Sequence, residues 1–362
     1  CRRRRPQECG DDGDKCSMHG AYISDFRGVG RTIFLVSTPR IAIVIQITQE
    51  VSMLSESARG VYIISVTPFD ERGALDLDGT DRLIDFYVEA GANGLTILGV
   101  MGEAPKLAHQ EAVDFARRVI ARAGKLPVVV GVSAPGLASL AALTKAVMDL
   151  GAAGVMIAPP GVLKGDDAIV TYFENCVETI GPAPFALQDF PQASGLFIPV
   201  SVIERIAAIC PTFVMLKHED WPGLDKITAV RAREKHGMRR LSILSGNCGI
   251  FLPFELARGV DGAMTGYAFP EMLVDVCRLM SAGRRSEAHD LFDAHLPLVR
   301  YEQQPSIGLA VRKYVLRRRG VLKSDAQRRP GPSVSRETAA EIDFMLERLE
   351  RAIAPRKLRA AS

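Results

Sequence analysis

The sequence predicts an α/β protein: a closed (β/α)8 barrel, the TIM-barrel architecture, followed by a C-terminal helical addition. Three observations predict it. From Gly60 onward, short apolar runs alternate with helix-period segments eight times. Several of the helical segments end in "AGA" or "LGAAG", where glycine supplies the left-handed cap before the next strand. The Gly-rich dinucleotide loop that would mark a doubly wound open sheet is missing, because the loop after the first strand reads Thr67-Pro68-Phe69.

The strand-like runs are Val61–Val66, Gly94–Leu98, Pro127–Val132, Gly154–Ala158, Pro184–Leu187, Thr212–Leu216, Leu241–Leu244 and Asp261–Met264. Helical periodicity covers Thr80–Ala90, Gln110–Ala123, Leu137–Leu150, Asp167–Ile180, Val200–Ile209, Leu224–His236, Ile250–Arg258 and Glu271–Ser281. Three more helical segments follow, near Arg285–Leu296, Ser306–Arg318 and Ser335–Ala352. The expected organisation is an extension over 1–52, a barrel over 53–283, a helical segment over 284–352 and a tail over 353–362. The extension begins with Cys1 and four arginines and reads as disordered or as an over-extended frame, with Met53 the natural start.

Composition narrows the function. At 47% hydrophobic and 24% charged, with a net charge of +3, the chain gives no charge signal for nucleic acid or a membrane surface. The longest apolar candidate, Thr32 to Thr48, is broken by Pro39 and Arg40, so no membrane span is expected. Seven cysteines include no CxxC pair, which favours a reducing, cytoplasmic setting and gives no zinc signature. Neither a metal nor another cofactor is expected.

Catalytic residues of such barrels collect at the carboxyl ends of the strands. Lys217 follows Thr212–Leu216 there, where desolvation favours a free amine able to attack a carbonyl and form a Schiff base. The plainer alternative is a salt-bridged lysine at a strand end. After the second strand, Gly99-Val100-Met101-Gly102-Glu103 forms a turn whose N–H groups suit the carboxylate of a 2-oxo acid. After the fifth strand, Gln188 can hydrogen-bond but not shuttle a proton, whereas Asp189 can if burial raises its pKa. His218, Glu219 and Asp220 follow Lys217 too closely to converge on one metal, and Glu219 is the candidate acid/base. Gly246 and Gly249 would permit a phosphate site at the seventh and eighth strands, but no basic residue adjoins them in sequence. Cys248 lacks an adjacent base to make it a nucleophile.

Together the motifs resemble the dihydrodipicolinate synthase / N-acetylneuraminate lyase family of class I aldolases. The matching stretches are "SVTPF" at Ser65–Phe69, "LGVMGE" at Leu98–Glu103, "LQDFPQASG" at Leu187–Gly195, "VMLKHE" at Val214–Glu219, "LSGN" at Leu244–Asn247, "DGAMTG" at Asp261–Gly266 and "QPSIGLAVRKYV" at Gln304–Val315. The resemblance implies a lyase, with a pyruvate-type Schiff base on Lys217. It also implies carboxylate binding at Gly99, Val100, Met101 and Gly102, a backbone carbonyl from Met264, and a role for Thr67 in substrate binding. A small-molecule 2-oxo acid substrate and a homo-oligomer, a tetramer or dimer, are implied as well.

This chain departs from the family pattern at the proton relay. The two hydroxyl residues of GxxGE are Val100 and Met101, the relay tyrosine is Gln188, and the arginine that follows it is Ala193. A second tyrosine, from the loop after the fourth strand, is replaced within Pro159-Pro160-Gly161. The expected function is C–C cleavage or condensation, or dehydration, of pyruvate or a related 2-oxo acid of less acidic character. A non-catalytic 2-oxo-acid-binding barrel and a sugar-phosphate barrel are the alternatives.

Overall fold

In a computed structural model, which describes residues 31–38, 41–48 and 52–354, eight parallel strands close into a barrel. They are β3 (Gly60–Ile64), β4 (Gly94–Ile97), β5 (Val128–Gly131), β6 (Gly154–Ile157), β7 (Phe185–Asp189), β8 (Phe213–His218), β9 (Ser242–Ser245) and β10 (Gly262–Thr265). Closure comes from β10 pairing with β3, Gly262 opposite Gly60. The expected fold class is therefore the observed one. Upstream and as a separate unit, β1 (Arg31–Thr38) and β2 (Ile41–Thr48) pair antiparallel, Thr38 opposite Ile41. These lie within the stretch expected to be disordered, and their β-branched apolar runs account for the pairing. The expectation for residues 1–30 lies outside the described residues.

The helices that follow the strands are α1 (Leu77–Glu89), α2 (His109–Ala123), α3 (Leu137–Asp149), α4 (Asp166–Ile180), the short α5 (Pro191–Ser194), α6 (Val200–Ile209), α7 (Leu224–Lys235), α8 (Leu252–Ala257) and α9 (Pro270–Ser281). Past α1 and α3, Gly91 and Gly151 adopt φ of 83° and 93°, the left-handed turn an L side chain resists. The addition comprises α10 (Arg285–Glu302), α11 (Gly308–Arg318) and α12 (Arg336–Ile353). Pro297 lies inside α10, so the helix runs past the Leu296 at which the sequence suggested it stops.

Two layers of side chains hold the barrel. Val61, Ile63, Leu95, Ile97, Val128 and Val155 face outward into the helix-packed core. Tyr62, Ile64, Val129, Met156, Ala186, Met215, Leu244 and Met264 fill the interior. This is the period of two expected of strands buried on both faces. One irregularity breaks it: Phe185 pairs with Phe213, but the next residue, Ala186, pairs with Met215. Val214 is therefore an extra residue in β8, a bulge. Phe213 stacks outward on Phe185, their rings 5.4 Å apart, while Met215 points inward, and Lys217 follows on the same inward face.

Candidate active site

Strands β7 and β8 continue two residues beyond their expected ends because they pair with each other, Gln188 opposite Lys217 and Asp189 opposite His218. Alternation then turns Gln188 and Lys217 into the barrel mouth together. Lys217 is buried, and its Nζ lies 2.8 Å from Oε2 of Glu219, which is also buried. Gln188 Nε2 donates to the same oxygen at 2.7 Å. Both the salt bridge and the inward placement weighed from sequence thus hold for Lys217 at once. Glu219 itself is fixed by its backbone: its N–H donates to the Asp189 carbonyl at 2.9 Å, and its carbonyl accepts from Asn247 Nδ2 at 3.1 Å. Gly246 makes room for it, since a Cβ there would stand 2.1 Å from Glu219 Cγ.

These three side chains line a cavity of about 800 Å³, with Val100 and Met101 from the turn after β4. In the closed ring of strands β4 lies opposite β8, so the turn faces the amine across the mouth. Val100–Gly102 is a single 3-10 turn, and Gly102 N–H donates to Gly99 O at 3.0 Å. The N–H groups of Val100 and Met101 open this turn and have no partner within it, which suits a carboxylate. Gly99 and Gly102 frame the turn without lining the cavity.

Three sequence-predicted site residues sit elsewhere. Asp189 alternates outward and is fully buried behind the strand, where Lys226 Nζ binds its Oδ2 at 2.6 Å, so it is not an acid/base of the cavity. Thr67 supports the turn instead of facing substrate space, its hydroxyl donating to Gly102 O at 2.6 Å. Met264 packs in the interior layer, and the last strand meets the cavity one residue later, at Thr265 and Gly266. Glu103 is likewise structural: its carboxylate takes Lys313 Nζ at 2.6 Å and Lys106 Nζ at 2.9 Å, tying the turn to α11. Burial pushes the Lys313 ammonium pKa below its ordinary value, and Glu103 opposes that shift.

Behind β8 and β9, Glu255 of α8 is buried near Ser245 and His218. Burial pushes its carboxyl from the ordinary 4.5 up to about 7, with Ser245 and His218 acting against the shift. A folded-state value above the unfolded one means its stability contribution is complete at low pH and is lost as pH rises through about 7. Glu255→Gln should therefore gain relative to wild type by up to about 3 kcal/mol between roughly pH 5 and pH 8. Thermal unfolding of both proteins across that range checks it, and a constant gap would contradict it.

Sequence reading missed the residues that the C-terminal addition brings to the cavity. Arg312 of α11, 2% exposed, and Glu302 at the end of α10 both line it. Arg312 Nε donates to Glu302 Oε2 at 2.9 Å, and Nη2 donates to Cys248 Sγ at 3.0 Å. A basic residue therefore does stand beside the loops after β9 and β10, although none adjoins them in sequence. The available signal was the Arg312-Lys313 pair inside the apolar run of "GLAVRKYVL". Cys248 has its thiol pushed up to about 12, chiefly by burial, which leaves it neutral and a poor nucleophile. Gln303 Nε2 reaches Asn247 Oδ1 at 3.2 Å, extending the chain of contacts that holds Glu219.

Comparison with known proteins agrees with this architecture. A sequence profile of the Dihydrodipicolinate synthetase family matches residues 57–349. The L-2-keto-3-deoxyarabonate dehydratase of Azospirillum brasilense is 30% identical over 299 residues, 81% of this chain and 94% of the relative. The 4-hydroxy-tetrahydrodipicolinate synthase of Oceanobacillus iheyensis is 28% identical over 66% of this chain and 80% of its own. Among solved structures, dihydrodipicolinate synthase from Rhodopseudomonas palustris superposes with a TM-score of 0.81 at 53% identity, covering 82% of this chain and 99% of that one.

Proposed function

The chain belongs to the Dihydrodipicolinate synthetase family, and on that premise we propose that it is a Schiff-base-forming lyase acting on pyruvate or a related 2-oxo acid. The observation that carries this reading is the Lys217 amine, buried in the cavity 2.8 Å from a carboxylate. The substrate carboxylate sits on the N–H groups of Val100 and Met101, which presents its ketone to Nζ.

Glu219 takes a proton from the Lys217 ammonium, and the free amine adds to the ketone carbon. The same carboxyl returns a proton to the carbinolamine oxygen, water leaves, and a protonated imine remains. That imine draws electrons from the adjacent carbon, whose proton passes to Glu219 to give an enamine. The enamine then expels the hydroxyl of the next carbon as water, with Glu219 returning the proton, or adds to an acceptor carbonyl to form a carbon–carbon bond. Cleavage instead starts from the protonated imine, which takes the bonding pair as the neighbouring hydroxyl gives its proton to Glu219 and leaves as a carbonyl. Gln188 holds the carboxylate for these transfers without moving a proton itself. A relay through side-chain hydroxyls is absent from Val100, Met101 and Gln188, so Glu219 carries the proton traffic.

The relative named as a dehydratase of L-2-keto-3-deoxyarabonate, matched over nearly its whole length, supports elimination of a hydroxyl as the overall reaction. The exposed Val162 and Phe197 give apolar surface for a homo-oligomer. Among the described residues no helix is long and apolar enough to cross a membrane.

Borohydride reduction in the presence of pyruvate tests the proposal. Mass spectrometry should place a reduced adduct on the peptide that holds Lys217. Adducts without turnover of any 2-oxo acid would assign the binding-protein alternative, and an unmodified lysine would end the Schiff-base reading.

A further inference from the structure

The mouth of the cavity carries a second polar position, built by the C-terminal addition and independent of the amine. Arg312 places two of its three guanidinium nitrogens on Glu302 and Cys248. The third, Nη1, is buried and has no hydrogen-bond partner. An N–H group withheld from water and left unpaired is costly, so this position calls for an oxygen acceptor. Gly266 admits the nitrogen: a Cβ there would lie 2.2 Å from Nη1. Arg312, Gly266 and Thr265 line the same cavity as Lys217, in the sector of β9, β10 and α11.

Charge decides what kind of oxygen fits. Glu302 sits on Arg312 at 2.9 Å and offsets the guanidinium, so the pair carries no surplus positive charge for a second carboxylate or a phosphate. The uncharged polar side chains of the cavity wall include Asn247, Gln303, Gln304 and Thr265, groups that donate and accept. A hydroxyl matches both halves: its oxygen accepts from Nη1 and its proton turns to a Glu302 lone pair.

We infer that Arg312 is the specificity-determining residue for the far end of the substrate, binding a hydroxyl on the tail of a 2-oxo acid through Nη1. This inference rests on the Schiff-base reading for the identity of the head group. It also supplies what the replacement by Ala193 removed, an arginine in the site, from another element and with its charge already compensated.

The test is calorimetric binding to the full chain carrying Lys217→Ala, which cannot form the imine and so separates tail recognition from imine chemistry. Three probes of equal chain length are compared: 3-deoxy-2-oxopentonate, 2-oxopentanoate and 2-oxoglutarate. The hydroxylated acid should bind best. Adding Arg312→Met with Glu302→Gln should cut its affinity relative to 2-oxopentanoate by about ten- to a hundredfold. Arg312→Lys, which retains both charges but carries no Nη1, should erode the same ratio and provides a second route should the double replacement fail to fold. A ratio unmoved by either change overturns the inference, as does an Arg312-dependent preference for 2-oxoglutarate. Failure of the Schiff-base reading shows separately, as absence of borohydride adduct on Lys217 in the wild-type chain.

Discussion

Lys217→Ala should abolish borohydride-dependent adduct formation and reduce turnover by on the order of 10⁴- to 10⁶-fold, the range seen when a covalent nucleophile is removed. The expected loss is that large because the proposed reaction draws its electrons into an imine on this nitrogen. Removing the amine also strands the buried Glu219 carboxylate, which by itself costs about 3–5 kcal/mol of stability. Lys217→Arg separates the two effects, since it keeps the positive charge while offering no nucleophile at ordinary pH. Mass spectrometry, turnover and thermal unfolding of both variants decide the matter. Adduct formation in either variant would place the reactive amine elsewhere, and Lys106, which lines the same cavity, would be the first to check.

Glu219→Gln should leave the cavity filled and lower the rate of adduct formation by about 10²- to 10⁴-fold, the usual weight of a positioned proton carrier. The amide keeps an oxygen to accept from Lys217 or Gln188 but cannot hold the transferred proton. The effect should fall on kcat more than on KM, because in the proposed mode the substrate carboxylate is held by the turn at Val100 and Met101, which lines the cavity across the mouth, and not by Glu219. Glu219→Asp, with a shorter reach, should recover part of the rate. Stopped-flow imine formation with pyruvate makes the comparison; equal rates in wild type and Glu219→Gln would remove Glu219 from the proton path.

Much of the barrel could be read in the chain because both its strand layers are apolar and each strand is short, so runs such as Val128–Gly131 stand out between helical periods. The amine was legible for the same reason, as a lone charge at the end of such a run. The paired ends of β7 and β8 were not. Whether Asp189 belongs to a strand or a turn depends on a neighbour, His218, that only the register supplies, and that one residue decides which way its carboxylate faces. The arginine at the mouth was hidden for a different reason. Arg312 and Lys313 are adjacent on α11 and point to separate partners, Glu302 and Glu103, and no local pattern announces two buried ion pairs. Thr67 shows a milder form of the same limit: its motif was recognisable, but its hydroxyl serves the turn.

The extra residue at Val214 gives β8 a parity. Counted from Phe213, whose ring is committed to the aromatic stack outside, an unbroken strand would deliver Lys217 to the helix side of the wall. With the additional step the amine arrives in the basin. The reactive nitrogen thus owes its side of the wall to an odd or even number, and not to the chemistry of any residue near it. Apolar exchanges along this strand can preserve that count, and loss of Val214 itself would leave a regular strand with the amine still inside. One residue inserted between Met215 and Lys217, by contrast, would turn the amine to the far side.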